Sequence, residues 1–201
     1  MRQINKGIEP SEFTTWKRGN PDSLYSDLPH PERRAIRQSC IDEQLGLCCY
    51  CCRSITIDDS SNEHLKDRDH FPQHQLDYSN ITASCRLSGR CNDFRNNQAI
   101  GISPLDGACE TEITYYLSGK IKGLTDSART TISATNLKSL KEERKGMVNA
   151  LIWGSGENPD ELELLENDLI DLFIAELDTP IDGTLSSYAP VLVSILKSLK
   201  G

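Results

Sequence analysis

The chain has 201 residues, eight of which are cysteine, and a formal net charge of −8. A chain of this length buries about 70% of the surface that it exposes when unfolded, so its core needs no disulfide scaffold. No apolar run approaches the roughly 20 residues that cross a bilayer, and the first residues lack a signal-like apolar segment. These features exclude a membrane-spanning class and predict a cytoplasmic protein.

The negative charge is confined to the C-terminal part of the chain. Residues 1–145 contain 20 basic and 20 acidic residues, whereas residues 146–201 contain 2 and 10. A neutral first part can present local basic patches to phosphate groups, while the acidic part should be held away from them. The overall acidity therefore does not exclude a nucleic-acid substrate.

The first elements in chain order are an arm and a helix. Prolines and glycines in residues 1–30 predict either an extended N-terminal arm or loops, lying on the rest of the protein. Pro31 can open a helix, with Ile36, Cys40 and Ile41 at helical spacing, that stops at Gly46. Short apolar segments separated by polar turns follow as far as about residue 102.

Later patterns predict a hairpin over residues 113–122, turning at Ser118-Gly119, and a helical stretch around 133–152. Asn158 and Pro159 resemble the N-cap and first residue of another helix, and a last helix covers roughly 186–199. Each of the last two helices has one apolar stripe, which predicts internal packing more than partner docking. The sequence thus divides into an arm (1–30), a core (31–125) and a helical C-terminal region (126–201).

The cysteines predict a metal site in the core. Residues 48–52, Cys-Cys-Tyr-Cys-Cys, contain two overlapping C-x-x-C pairs, Cys48 with Cys51 and Cys49 with Cys52, and a further pair, Cys85 and Cys91, follows. Four thiolates bind Zn²⁺ tetrahedrally, and a C-x-x-C turn supplies two of them. We expect a structural zinc held by Cys48, Cys51, Cys85 and Cys91, although the sequence leaves Cys49 and Cys52 as an alternative first pair. Buried free thiols and a redox C-x-x-C are the other interpretations.

A set of polar residues lies between and after the cysteine pairs. Glu63-His64 follows the first pair, Tyr78-Ser79-Asn80-Ile81 precedes the second, and Asn92 follows Cys91 directly. In this order the residues resemble the HNH endonuclease family, whose pattern is C-x-x-C, Asp/Glu-His, Asn-Leu or Asn-Ile, and C-x-x-C-Asn followed by a basic residue. The resemblance covers residues 45–105. It implies an α+β fold with a ββα-metal core.

The resemblance also implies a role for each residue. Glu63 and Asn92 would bind a catalytic Mg²⁺ or Mn²⁺, His64 would be the general base, and Asn80 would fix the loop around His64. Imidazole titrates near neutral pH and Mg²⁺ prefers oxygen ligands, so these residue types suit phosphodiester hydrolysis. On a regular strand, however, Glu63 and His64 point to opposite faces unless a bulge turns one of them.

Basic residues around the motif are candidate phosphate contacts, with exposed loop arginines as the alternative. They are Arg53, Arg86, Arg90 and Arg95, and Arg95 stands where the family often has lysine. His70 and His74 lie in a polar insertion and are expected to be solvated.

The opening Met-Arg-x-Ile-Asn-Lys-Gly and the stretch Cys-Cys-Tyr-Cys-Cys-Arg-Ser-Ile resemble one subgroup more closely. It is the PtuB-like HNH component of the prokaryotic Septu and retron-associated antiphage systems. This resemblance implies a PtuA-like ABC/SMC-type ATPase partner and, in retron systems, a reverse transcriptase with its DNA. The alternative function is a noncatalytic, zinc-stabilised adaptor of the same complex.

Overall fold

A computed structural model describes the backbone of residues 1–155 and 166–200. It describes the side chains of residues 1–150 and 166–200. The fold is mixed α+β, with two small two-stranded sheets among helices. The elements are α1 Ser11–Gly19, α2 His30–Glu43, β1 Ser60–His64, β2 Ile81–Cys85, α3 Cys91–Arg95, α4 Ala108–Thr111, β3 Ile113–Tyr115, β4 Ile121–Gly123, α5 Asp126–Ala134, α6 Lys141–Ser155, α7 Asn167–Leu177 and α8 Ala189–Leu199.

The N-terminal arm differs from the prediction made from its composition, because part of it is helical. It contains helix α1, which Pro10 precedes and Gly19 ends, so the breaking residues bound the helix instead of preventing it. Phe13 on α1 is fully buried, and Met1 and Ile4 are also buried in the core. The segment therefore contributes to the body of the protein.

Helix α2 forms where the sequence predicted it. Ile36, Cys40 and Ile41 make its buried side, and Gly46 beyond its end has a φ of 75° that suits glycine. Its buried side packs against the first sheet, in which β1 and β2 pair antiparallel from Ser60↔Cys85 to His64↔Ile81. Helix α3 follows β2 and packs against it.

The second sheet confirms the predicted hairpin. Strands β3 and β4 pair from Ile113↔Gly123 to Tyr115↔Ile121. Gly119 turns the hairpin with a φ of 75°, and a Cβ there would lie 2.1 Å from the Lys141 carbonyl oxygen. Only glycine therefore fits between this turn and α6.

The helical region is more divided than predicted. The stretch 133–152 is split between α5 and α6, because Asn136 adopts a left-handed φ of 49° between them. Helix α8 confirms the predicted last helix in shortened form. The predicted helix start at Asn158 and Pro159 lies outside the described residues, and α7 begins at Asn167.

One contiguous hydrophobic core joins the three predicted regions. It includes Met1 from the first, Ile81 from the second and Leu192 from the third. Across the residues that the structure describes, no helix combines the length and apolar character needed to cross a membrane.

Candidate functional site

Four cysteines from three separate segments meet beside the first sheet. Cys48 and Cys51 lie in a tight turn, in which Cys52 N–H donates to the Cys48 carbonyl, and an isolated bridge between Leu47 and Ser54 closes this turn. Cys85 ends β2 and Cys91 begins α3. The strand and the helix thus bring the second pair to the first.

The spacing of the four sulfur atoms fits zinc. All four lie within 4.8 Å of one another and are buried, and the Cys51 and Cys85 sulfurs are 3.9 Å apart. A tetrahedral site with Zn–S bonds of about 2.3 Å has sulfurs separated by about 3.8 Å. The four cysteines could therefore hold a zinc ion without rearrangement of the backbone.

The surroundings of Cys48 favour a thiolate. Burial alone would raise the pKa of this thiol, but hydrogen bonds from Cys49, Cys51, Cys85 and Cys91 outweigh burial and hold the pKa well below its usual value. The backbone N–H of Cys85 also donates to the Cys48 sulfur at 3.4 Å. Thiolates are the form that binds metal, so this environment suits zinc ligation.

The geometry also decides between the overlapping pairs. Among the described residues, the cluster contains Cys48 and Cys51 but neither Cys49 nor Cys52. Cys49 is held against β2 through its N–H bond to the Ala83 carbonyl, and burial raises the pKa of both outlying thiols. Cys49 and Cys52 are therefore buried thiols beside the cluster of four cysteines.

His64 ends β1 with its ring fixed by two contacts. Its Nε2 lies 3.0 Å from the Gln75 carbonyl oxygen, and its ring packs edge-on against Tyr25 with centroids 4.5 Å apart. A carbonyl can only accept, so the proton of the neutral ring is on Nε2 and the lone pair is on Nδ1. Burial lowers the pKa of His64 to about 4, with the charges of Arg68 and Arg95 adding to the effect. The imidazole is therefore neutral at pH 7.

Asn80 closes the long loop that connects β1 to β2. Its Oδ1 accepts the Lys66 N–H at 2.8 Å, and its Nδ2 donates to the carbonyls of Lys66 and His74. Leu65 N–H also donates to the Asn80 carbonyl. Asn80 thus holds both ends of the loop that carries Gln75, the hydrogen-bond partner of His64.

Glu63 does not occupy the open position expected of a metal ligand. Its carboxylate is 3% exposed, accepts the Tyr50 hydroxyl at 2.7 Å and forms an ion pair with Arg95. Burial raises the pKa of Glu63, while Arg95 and Tyr50 oppose that rise. The strand is regular here, so Glu63 and His64 point to opposite faces, as alternation predicts.

Asn92 has a hydrogen-bond partner of its own. Its amide donates to the Ser61 hydroxyl at 3.0 Å at the edge of an open depression of about 530 Å³. The predicted catalytic ligands thus have different partners, and the ion pair with Arg95 already neutralises Glu63. The paired Glu63 carboxylate does not suit a Mg²⁺ or Mn²⁺ ion, because hard cations need free oxygen donors, whereas the Asn92 contact uses its amide nitrogen and not its oxygen.

Arg95 is the main correction to the predicted phosphate contacts. It is 1% exposed, because its guanidinium is turned inward to the Glu63 carboxylate and to the carbonyls of His64, Leu65 and Gln98. A buried, fully bonded guanidinium cannot reach a phosphate. The sequence did not predict this network. The only local indication of it was the position of Arg95, a basic residue three positions after Asn92.

The other predicted arginines differ in availability. Arg90 forms an ion pair with Glu143, whereas Arg53 and Arg86 are exposed and Arg86 lines the depression beside Asn92. His70 and His74 bond to Asp67 and Asp77 within their own loop, and His70 is exposed as predicted.

Two comparisons of the chain with known proteins found no match. No protein-family model matches the chain, and a search of curated proteins finds no match.

Proposed function

We propose that the chain is an HNH-type endonuclease, which hydrolyses phosphodiester bonds in nucleic acid as the effector of an antiphage defence complex. The observation that carries the proposal is the state of His64. Its ring is held in one orientation by the Gln75 carbonyl and Tyr25, and among the described residues its Nδ1 has no hydrogen-bond partner. A neutral imidazole with one free lone pair is equipped to accept a proton.

In the proposed reaction, Nδ1 of His64 takes a proton from a water molecule as that water attacks the phosphorus atom. The bond from phosphorus to the leaving oxygen breaks, and solvent water supplies the proton that this oxygen takes up. Positioned general bases of this kind contribute about 10²- to 10⁴-fold to a rate. The low pKa of His64 makes it a weaker base than free imidazole, but it is present in its active form over the whole neutral range.

The cysteine cluster supports the same proposal by fixing the elements around His64. Zinc bound to Cys48, Cys51, Cys85 and Cys91 would lock the end of β2 to the start of α3, and Arg95 on α3 bonds to the His64 carbonyl. A divalent Mg²⁺ or Mn²⁺ belongs to the proposal through the HNH resemblance alone. No step is assigned to it, because Glu63 is paired with Arg95.

The decisive experiment compares two histidine variants. We expect the purified chain, with Mg²⁺ or Mn²⁺, to degrade at least one of duplex DNA, single-stranded DNA and RNA, and His64→Ala to lower the rate at least about 100-fold. His70→Ala removes an exposed histidine from the neighbouring loop and should leave the rate unchanged. Equal rates for His64→Ala and the parent, with zinc content and circular dichroism preserved in both, would contradict the proposal.

One observation favours the second candidate function, a noncatalytic zinc-stabilised adaptor. The Glu63–Arg95 ion pair occupies the carboxylate that a catalytic cation would need. An adaptor binds zinc and its partner but cleaves no nucleic acid, with or without the ABC/SMC-type ATPase that the resemblance implies. Zinc-replete chain that stays inactive in the assembled complex would support the adaptor.

The acidic C-terminal region, and within it helix α7 with Asp168, Asp171 and Glu176, is the proposed docking surface for that ATPase and, in a retron system, for the reverse transcriptase. Helix α8 supplies Val191 and Leu192 to the core, so its deletion would disturb the fold. Leu172 on α7, in contrast, is 63% exposed. Leu172→Glu should weaken assembly with the partner without lowering thermal stability, and an unchanged complex would count against this docking surface.

A further inference from the structure

Four arginines lie around β1, from the Tyr25 ring that packs against His64 to the depression beside Asn92. The guanidinium carbons of Arg33 and Arg68 lie 5.5 Å and 5.2 Å from the centre of the Tyr25 ring, against which His64 packs. Arg37 is one helical turn after Arg33 on α2. Arg86 and Arg68 line the same depression. We call Arg33, Arg37, Arg68 and Arg86 the arginine surface.

Little negative charge offsets this surface, and Asp58 is the carboxylate whose charge acts on Arg37. Within residues 1–155 and 166–200, none of the four guanidinium groups has a carboxylate within ion-pair distance, whereas the neighbouring Arg34 is paired with Asp58. The one carboxylate lining the depression, Asp93, accepts the Gly89 N–H. Like charges brought together without counter-ions attract anions strongly.

Some of these arginines also have N–H donors that are not used in hydrogen bonds. Arg33 and Arg37 already use terminal nitrogens to bond carbonyls, so they contribute mainly their positive charge. Arg68 and Arg86 are exposed and have no hydrogen bond among the described side chains. Exposed guanidinium groups with free N–H donors can bind phosphate oxygens in pairs.

We propose that the arginine surface binds the phosphodiester backbone of a nucleic acid and leads one strand past His64. The path of the strand toward His64 rests on the proposed function. The binding residues lie on α2, in the loop after β1 and directly after β2. Phosphate contacts of this kind set the position of a strand without reading its bases. The surface therefore predicts binding with little sequence preference.

The test is binding of a fluorescent oligonucleotide, as a duplex and as a single strand, without added Mg²⁺ or Mn²⁺. Arg68→Gln/Arg86→Gln removes two positive charges at the depression. Lys122→Gln/Lys197→Gln removes the same charge from exposed positions on β4 and α8. Anisotropy is measured from low to high salt for the parent and both variants.

Each lost phosphate contact lowers the slope of log K against log salt by about 0.9 for duplex DNA. We therefore expect Arg68→Gln/Arg86→Gln to reduce this slope by about 1.8 and to weaken duplex binding about 30-fold at 0.15 M salt. The lysine control should bind like the parent. Equal loss in both double variants, or no loss in the arginine variant, would overturn the proposal.

Cleavage assays on the same proteins separate this inference from the proposed function. Chain that cleaves normally after the arginine substitutions disproves the arginine surface and leaves the nuclease intact. Chain that binds through these arginines but never cleaves disproves the nuclease and leaves the surface intact.

Discussion

The buried ion pair between Glu63 and Arg95 gives the sharpest test of how the site is built. Replacing Glu63 by Gln keeps the shape of the side chain and one oxygen acceptor but removes the negative charge. Arg95 is then left as a cation that is 1% exposed and has no counter-charge. Removing one partner of a buried ion pair costs about 3–5 kcal/mol. The same substitution at an open metal ligand would cost little stability.

The assay is urea unfolding at pH 7 with zinc present, followed by far-UV circular dichroism. Glu143→Gln is the matched control, because it breaks the half-exposed pair with Arg90 and should cost at most about 1 kcal/mol. We expect Glu63→Gln to lower the free energy of unfolding by about 3–5 kcal/mol. A loss of unfolding free energy no larger than that of Glu143→Gln would refute the ion pair. Glu63 would then be available as a metal ligand.

Three further predictions concern the zinc site, the histidine and the loop. Cys85→Ser should abolish stoichiometric zinc binding, measured by atomic emission, while Cys109→Ser, in a buried thiol outside the cluster, should retain it. Because the pKa of His64 is about 4 in the folded chain against 6.5 when exposed, only the unfolded chain takes up its proton between these values. The free energy of unfolding should therefore fall by up to about 3 kcal/mol from pH 6.5 to 4. In urea titrations, His64→Gln should show a smaller fall over this range than the parent. An equal fall in both proteins would contradict the burial of the ring. Asn80→Ala removes three hydrogen bonds from the loop and should increase proteolytic cleavage of residues 65–80, and unchanged protease resistance would argue against its closing role.

The parts of the site that follow from local pattern could be predicted from the sequence. The C-x-x-C turn, the second cysteine pair and the alternation that separates Glu63 from His64 all depend on spacing along the chain. The choice of Cys48 and Cys51 over Cys49 and Cys52 depends on how the turn meets β2. Spacing alone could not make that choice.

Long-range partners could not be predicted in this way. Arg95 and Glu63 are 32 positions apart, and nothing in either segment indicates that the arginine turns inward. Helix α1 was missed for a related reason. Pro10 and Gly19 are signals of irregular structure by composition, but their positions at the two ends of a helix are compatible with it.

Chemical rescue of a His64 variant shows whether His64 accepts a proton during phosphodiester cleavage. In His64→Ala the imidazole is missing, so added imidazole should restore part of the lost cleavage rate, in proportion to the concentration of its neutral form. The parent and His70→Ala should not respond to imidazole. A His64→Ala protein that cleaves at the parental rate without imidazole, or a parent that never cleaves nucleic acid, would contradict this role of His64.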